Sequence, residues 1–268
     1  MFTLRNSGYS ILRIIYLIRV EANNYDLERW CNMYKLIAMD VDNTAAQTNM
    51  PVLYHNVKCI ERLREKSIEV MLISGKSTSY LSGLARQLGL NDLLLSGENG
   101  VVINLGHHYP PKKVFKINVS EHQKDLLNEI KHNLDETFGE KLWYQPNEIQ
   151  IAAFHYDQAD LKKALNESVE TMFKGSKYTD HLKYYIHSDC VDILPKQISK
   201  GNCLKMYMDE KSILSDEVIT IGDGINDISM FKVSDISIGI GDSKAIETTL
   251  RYKGITEALN YVELELIK

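Results

Sequence analysis

Tyr34-Lys-Leu-Ile-Ala-Met-Asp-Val-Asp-Asn-Thr44 is a run of apolar residues that ends abruptly in two carboxylates, Asp40 and Asp42. Lys35 to Met39 is short and bounded by polar residues, which predicts a buried strand of a parallel sheet. Open α/β sheets bind ligands at the carboxyl ends of their strands, and both aspartates would stand at such an end. Residues i and i+2 of an extended chain project to the same side. Two neighbouring carboxylates raise each other's pKa unless a cation lies between them. A hard divalent ion such as Mg²⁺ suits oxygen ligands of this kind. The same residues also read as a plain polar turn after a strand, with Asp and Asn serving turn chemistry. The stretch by itself leaves both readings open.

The chain has 268 residues, 44% of them hydrophobic and 25% charged, which is the composition of a globular protein with core enough for one large or two moderate domains. A net charge of -5 and the lack of any Lys/Arg-rich block argue against a nucleic-acid partner. The four cysteines (Cys31, Cys59, Cys190, Cys203) are far apart and form no Cys-x-x-Cys pair. They read as reduced thiols of a cytoplasmic protein rather than a disulfide framework or a zinc site. Tyr9 to Val20 is rich in Ile and Leu, but Arg13 and Arg19 interrupt it and it is too short to span a membrane. No small-residue cleavage site follows it, so a signal peptide is not expected. Residues 1–32 read as an appendage to the main fold, with Met33 as an alternative natural start.

The rest of the chain follows a β-α rhythm. A helical pattern runs from His55 to Lys66, and a second apolar strand from Ile68 to Ile73 ends in Ser74-Gly75-Lys76. Ser77 or Thr78 can cap the helix Tyr80 to Leu88, which Gly89 closes. A third strand, Asp92 to Leu95, leads to Ser96-Gly-Glu-Asn-Gly100, where Asn99-Gly100 signals a hairpin back into Val101–Asn104. The pattern then changes: strand Val114–Asn118, helix Glu121–Thr137, strand Ile149–His155, helix Gln158–Phe173, and two close strands, Lys183–His187 and Cys190–Leu194. We read residues 106–195 as an α/β domain inserted into a doubly wound, Rossmann-like core made of residues 33–105 and 196–268. The core resumes with a helix opened by Ser199-Lys200-Gly201. A strand Glu217–Ile221 then ends in Gly222-Asp-Gly-Ile-Asn-Asp227. A helix Ile228–Lys232, a strand Ile236–Ile240 and a final helix from Lys244 complete it.

Polar clusters thus recur where predicted strands end or helices begin: Asp40 and Asp42, Ser74 with Gly75, Lys200, and Asp223 with Asn226 and Asp227. Each has a structural reading as a cap, a turn or a solvated charge. Together they are what transfer of a phosphoryl group to a carboxylate needs. Asp40 can attack phosphorus as a carboxylate nucleophile. Positioning and charge neutralisation dominate such transfers: Mg²⁺ on Asp40 and Asp223, the Lys200 ammonium, and the Ser74 hydroxyl with neighbouring N–H groups would supply them. Asp42 is free to act as general acid and then base.

Asp-x-Asp-x-Thr at 40–44, Ser-Gly at 74–75, Lys200-Gly201 and Gly-Asp-x-x-Asn-Asp at 222–227 resemble the four motifs of the haloacid dehalogenase superfamily. The insertion between the second and third motifs resembles the α/β cap of its type IIB branch. That branch includes Cof-like, sucrose-phosphate and archaeal phosphoglycolate phosphatases. The resemblance covers the chain from about Tyr34 to its end. It implies Asp40 as nucleophile, Asp42 as acid/base, and Ser74, Gly75, Lys200 and Asn226 around the phosphate. It also implies Mg²⁺ held by Asp40, Asp223 and the Asp42 carbonyl, with Asp227 in support. Asn43 stands where the family usually has Gly, and Asn is the side chain best able to follow a left-handed turn. Caps of this family close over the leaving group, which makes Trp143, Tyr144, Asn147, His187 and Asp189 candidate substrate contacts. The expected activity is Mg²⁺-dependent hydrolysis of a small phosphorylated metabolite, a sugar phosphate or phosphoglycolate, by a monomer or homodimer. A phosphosugar mutase using the same nucleophile and a silent sugar-phosphate binder are the alternatives.

Overall fold

The computed structural model describes residues 33–108, 110–156, 158–243 and 246–267, so the expectations for residues 1–32 lie outside it. Among the described residues, twelve strands form two separate sheets. The larger has eight strands in the order β12-β11-β10-β1-β2-β3-β4-β5. Its central strand β1 (Leu36–Met39) is flanked by β2 (Glu69–Ile73) and β10 (Val218–Gly222), both parallel to it. Outside these run β3 (Leu94–Gly97), parallel to β2, and β11 (Ile236–Ile240) and β12 (Leu250–Tyr252), parallel to β10. Two antiparallel strands, β4 (Val102–Leu105) and β5 (Val114–Lys116), complete the other edge.

The buried strands carry apolar residues on both faces, as a sheet covered on both sides requires. Ile37, Met39, Val70, Leu72, Ile219 and Ile221 face one core, closed by helices Tyr54–Glu65, Thr78–Gln87 and Ile255–Tyr261. Leu36, Ala38, Met71, Ile73 and Val218 face the other, closed by helix Lys200–Lys211 and the short helix Ile228–Phe231. The result is the three-layer, parallel-rich α/β architecture that the sequence rhythm predicts.

The smaller sheet is antiparallel, in the order β6 (Leu142–Tyr144), β7 (Ile151–His155), β9 (Cys190–Pro195), β8 (Leu182–Ile186). Helices Glu121–Phe138 and Ala159–Phe173 cover one face through their own apolar cluster, which includes Leu126, Ile130, Leu165, Val169, Val191 and Ile193. Ser120 starts the first of these helices with a reciprocal capping box to Gln123.

The structure departs from the predicted elements in three places. Val114–Lys116, expected within the inserted block, is an edge strand of the larger sheet and pairs with Val102–Asn104. Leu142–Tyr144 is a strand of three residues, too short to show a period in the sequence. At the C-terminus a further strand, Leu250–Tyr252, precedes the last helix, which starts at Ile255; Lys244, where that helix was expected to begin, lies outside the described residues.

Candidate active site

Parallel strands β1, β2 and β10 deliver their polar ends to one edge of the larger sheet. Asp40 follows β1 directly, with its backbone N–H donating to the Ile221 carbonyl at 3.0 Å. Its carboxylate is almost fully buried and accepts from the Lys200 ammonium at 2.7 Å. Lys200 also donates to Asp227 at 2.6 Å, and Lys200 and Asp227 are both sealed from solvent. Gly201 explains how helix Lys200–Lys211 comes so close: a Cβ there would lie 2.0 Å from the Ser229 carbonyl oxygen.

Asp227 uses both of its oxygens. Oδ1 meets Lys200, and Oδ2 accepts from the backbone N–H groups of Asp223 and Gly224 at 2.9 and 2.8 Å. It therefore shapes the turn that presents Asp223. Asp223 in turn accepts from the Thr44 hydroxyl at 3.0 Å, which ties the first polar cluster to the last. Asn43 adopts a left-handed backbone, φ 55°, as its place in the turn requires, and its side chain accepts from Thr48 N–H and hydroxyl.

The oxygens of Asp40, Asp223 and Asp227 come within 4.8 Å of one another. Three carboxylates here face one ammonium. Burial pushes Asp40 up to about 8, against the pull of Lys200, and burial with the Asp227 charge raises Asp223. Burial works against the Lys200 ammonium, yet Asp227 and Asp40 outweigh it and raise its pKa. Three buried or half-buried carboxylates against one ammonium leave the site short of positive charge. An all-oxygen donor set short of positive charge fits a hard divalent cation. Because Asp227 is committed on both oxygens, Asp40 and Asp223 are the carboxylates placed to hold it.

Asp42 pairs with Lys76 at 2.9 Å, a partner that only the structure shows. Ser74 is buried at the end of β2, where its hydroxyl accepts from the Lys76 N–H at 3.3 Å. Gly75 next to it faces the smaller sheet, because its carbonyl accepts from the Gln145 amide at 2.9 Å.

The loop after β3 joins these clusters to the smaller sheet. Glu98 and Asn99 both have φ 54°, and both are buried. Glu98 accepts from three successive backbone N–H groups, Glu148, Ile149 and Gln150, at 2.9, 2.8 and 3.0 Å. Asn99 donates to Gln150 and to Asp192, both at 2.8 Å, and accepts from Asn226 at 2.9 Å. Asn226 therefore points toward this loop. Sequence reading left Glu98 and Asn99 open between a turn and a substrate contact, and did not single out Gln145, Gln150 or Asp192 as site residues. The one signal was the adjacency of two polar side chains to a strand end.

Of the candidate substrate contacts, Asn147 and His187 are brought toward the site. Asn147 accepts from Gln145, the residue that reaches Gly75, and His187 is 3.3 Å from Asp192, which accepts from Asn99. Tyr144 is not: with Leu142 it faces the apolar core of the smaller sheet, and Lys131 sits 4.3 Å over its ring. Trp143, one residue earlier, points to the opposite, helix-free face beside Phe154. Asp189 lies on the exposed turn between β8 and β9.

Comparison with known proteins gives one consistent picture. A family profile described as haloacid dehalogenase-like hydrolase matches residues 37–184 and 112–248. The chain is 23% identical to the phosphoglycolate phosphatase of Methanobrevibacter smithii over 78% of this chain and 86% of that protein. It is 24% identical to the phosphoglycolate phosphatase of Archaeoglobus fulgidus over 86% and 97%. A third relative is the 5-amino-6-(5-phospho-D-ribitylamino)uracil phosphatase of Bacillus subtilis, 21% identical over 79% and 86%. A haloacid dehalogenase-like hydrolase from Bacillus subtilis shares the fold with a TM-score of 0.70 at 16% identity, over 87% of this chain and all (100%) of that one. Another from Bacteroides thetaiotaomicron does so at 0.68 and 18%, over 85% and 99%. Among the described residues, no helix is long and apolar enough to cross a membrane.

Proposed function

The chain belongs to the haloacid dehalogenase-like hydrolases, and on that premise we propose that it is a phosphatase of small phosphorylated metabolites, Mg²⁺-dependent and working through an aspartyl-phosphate on Asp40. The observation that carries this reading is the buried Asp40 carboxylate, held by Lys200 at the end of the central strand beside Asp223. Phosphatase names among the relatives support the reaction class, and the repeated name phosphoglycolate phosphatase makes phosphoglycolate the first substrate to try, with sugar phosphates next.

In this mechanism an Asp40 oxygen attacks phosphorus while the bond to the leaving oxygen breaks, and Asp42 gives that oxygen a proton. Water then attacks the phosphorus of the aspartyl-phosphate, Asp42 takes its proton, and Asp40 is regenerated as phosphate leaves. Lys200 fixes the attacking carboxylate and offsets charge on the phosphoryl oxygens, with the Ser74 hydroxyl and Asn226 beside them. Lys76 holds Asp42 before substrate arrives; an anionic phosphate beside Lys76 would draw on that cation and release Asp42 for proton transfer. A Mg²⁺ ion held by Asp40, Asp223 and the Asp42 carbonyl would screen the anionic nucleophile from the anionic phosphate. The smaller sheet and its helices, residues 121–195, act in this reading as the cap that selects the leaving group in a cytoplasmic setting, while Val114–Lys116 stays with the larger sheet. Gln145, Asn147 and His187 lie on the side that meets the core.

The test is phosphate release from a panel of phosphorylated metabolites with Mg²⁺ and with EDTA. Metal-dependent release concentrated on phosphoglycolate or a few sugar phosphates supports the proposal. A folded protein that releases no phosphate from any of them with Mg²⁺ overturns it.

A further inference from the structure

The hairpin of β8 and β9 carries a cluster of nitrogen, sulfur and oxygen donors, one of which, His187, also lies on the side of the cap that meets the core. The Ser188-Asp189 turn of the hairpin places His187 directly across from Cys190, with the His187 N–H donating to the Cys190 carbonyl at 2.9 Å. Cys190 and Asp192 are two apart on β9 and so share a face. Val191 and Ile193 point the other way, into the apolar core. His187, Cys190 and Asp192 therefore project together from the helix-free face of the smaller sheet.

Their donor atoms converge. His187 Nε2 is 3.3 Å from Asp192 Oδ2, Cys190 Sγ is 4.0 Å from Asp192 Oδ1, and one atom from each residue lies within 4.8 Å of the others. A tetrahedral zinc with bonds of about 2.0–2.3 Å spaces its ligands by about 3.3–3.6 Å; the His187–Asp192 separation already matches this, and the other two must draw in around the ion. His187 Nε2 is buried and makes no hydrogen bond, although it faces a carboxylate. Its contact with that carboxylate at 3.3 Å is an ion pair when the ring is protonated, and in the neutral ring this nitrogen offers its lone pair as a ligand. Cys190 and Asp192 are themselves buried, so the donors are held in place rather than dispersed on the surface.

We infer that His187, Cys190 and Asp192 form a second metal site, for a borderline-soft ion such as Zn²⁺, distinct from the all-oxygen site at Asp40 and Asp223. Nitrogen, sulfur and oxygen donors together select zinc-like ions over Mg²⁺. Binding releases the Cys190 thiol proton and any proton on His187. The ion is then neutralised by one thiolate and one carboxylate, with a fourth position open. The site is coupled to the core because Asp192 also accepts from Asn99, which accepts from Asn226. An ion drawing on Asp192 therefore acts on the loop that orients Asn226, and we expect it to inhibit turnover.

The test titrates the metal-free, full-length protein with Co²⁺ in excess Mg²⁺, which occupies the oxygen site. Native protein should develop a thiolate-to-cobalt charge-transfer band, which an all-oxygen site cannot give. Cys190→Ser should abolish the band, and His187→Ala should weaken Co²⁺ binding at least about tenfold. No band in the native protein, a band that survives Cys190→Ser, or unchanged affinity in His187→Ala overturns the site. These optical readouts do not depend on any activity, so they stand apart from the outcome of the phosphatase assay.

Discussion

Lys200 reaches Asp40 across 160 positions of sequence at 2.7 Å, with its ammonium wholly enclosed. It also holds Asp227 at 2.6 Å, so one cation orders two carboxylates from distant parts of the sequence. Removing one partner of a buried ion pair leaves uncompensated charge, which typically costs about 3–5 kcal/mol. Lys200→Met should therefore destabilise the metal-free protein by about that amount, read by urea denaturation in EDTA. Mg²⁺ should restore part of the loss, because the ion replaces missing positive charge.

The pH dependence of the empty site has a definite sign. Burial raises Asp40 from 3.8 to about 8, so the folded state binds a proton that the unfolded state has released. Stability of metal-free protein should then fall as pH rises between those values. Asp223 is shifted in the same direction and adds to the trend. Melting temperatures in EDTA should drop from pH 5 to pH 8, and the gain from Mg²⁺ should be largest at the alkaline end, where the ion no longer competes with a proton. A melting temperature that rises with pH in EDTA would contradict this account of the site.

Asn99 joins Asn226 to Gln150 and Asp192 through three hydrogen bonds, the two to Gln150 and Asp192 fully buried and the one from Asn226 partly so. Asn99→Ala leaves those groups unpaired at a cost of about 1–3 kcal/mol each, partly relieved by repacking. We expect lower stability and a lower kcat, since both Asn226 and the smaller sheet lose their register on the core. A variant with native kcat would limit Asn99 to a turn role.

Gly201 sits where a Cβ would lie 2.0 Å from the Ser229 carbonyl oxygen. Gly201→Ala must push helix Lys200–Lys211 away from the core, at a cost of about 1–3 kcal/mol. Because Lys200 moves with that helix, activity should fall more than stability alone explains. Urea midpoints and kcat measured on the same preparation separate the two effects.

The architecture was legible because apolar runs that stop at polar clusters are a local signal. Leu36–Met39, Glu69–Ile73 and Val218–Gly222 announce themselves that way, and their ends carry Asp40, Ser74 and Asp223. Pairing is not local, which is why Val114–Lys116 was placed with the wrong sheet and Leu250–Tyr252 was missed around its central Arg251. Side-chain direction in a short strand depends on register, and a shift of one residue exchanges the faces. Tyr144 was therefore expected at the site and instead packs, half-buried, against the core of the smaller sheet, while Asp192, in an otherwise apolar strand, faces Asn99. The link between Lys76 and Asp42 likewise joins two loops whose approach no local pattern encodes.

The central claim is that Asp40 is the nucleophile, and Asp40→Asn tests it most directly. The substitution keeps the shape of the side chain and removes its attacking charge. Phosphate release under Mg²⁺, on whichever substrate the native protein prefers, should fall by at least about 10³-fold while the variant stays folded and still binds that substrate. Turnover within a few-fold of native in the folded variant would contradict the mechanism.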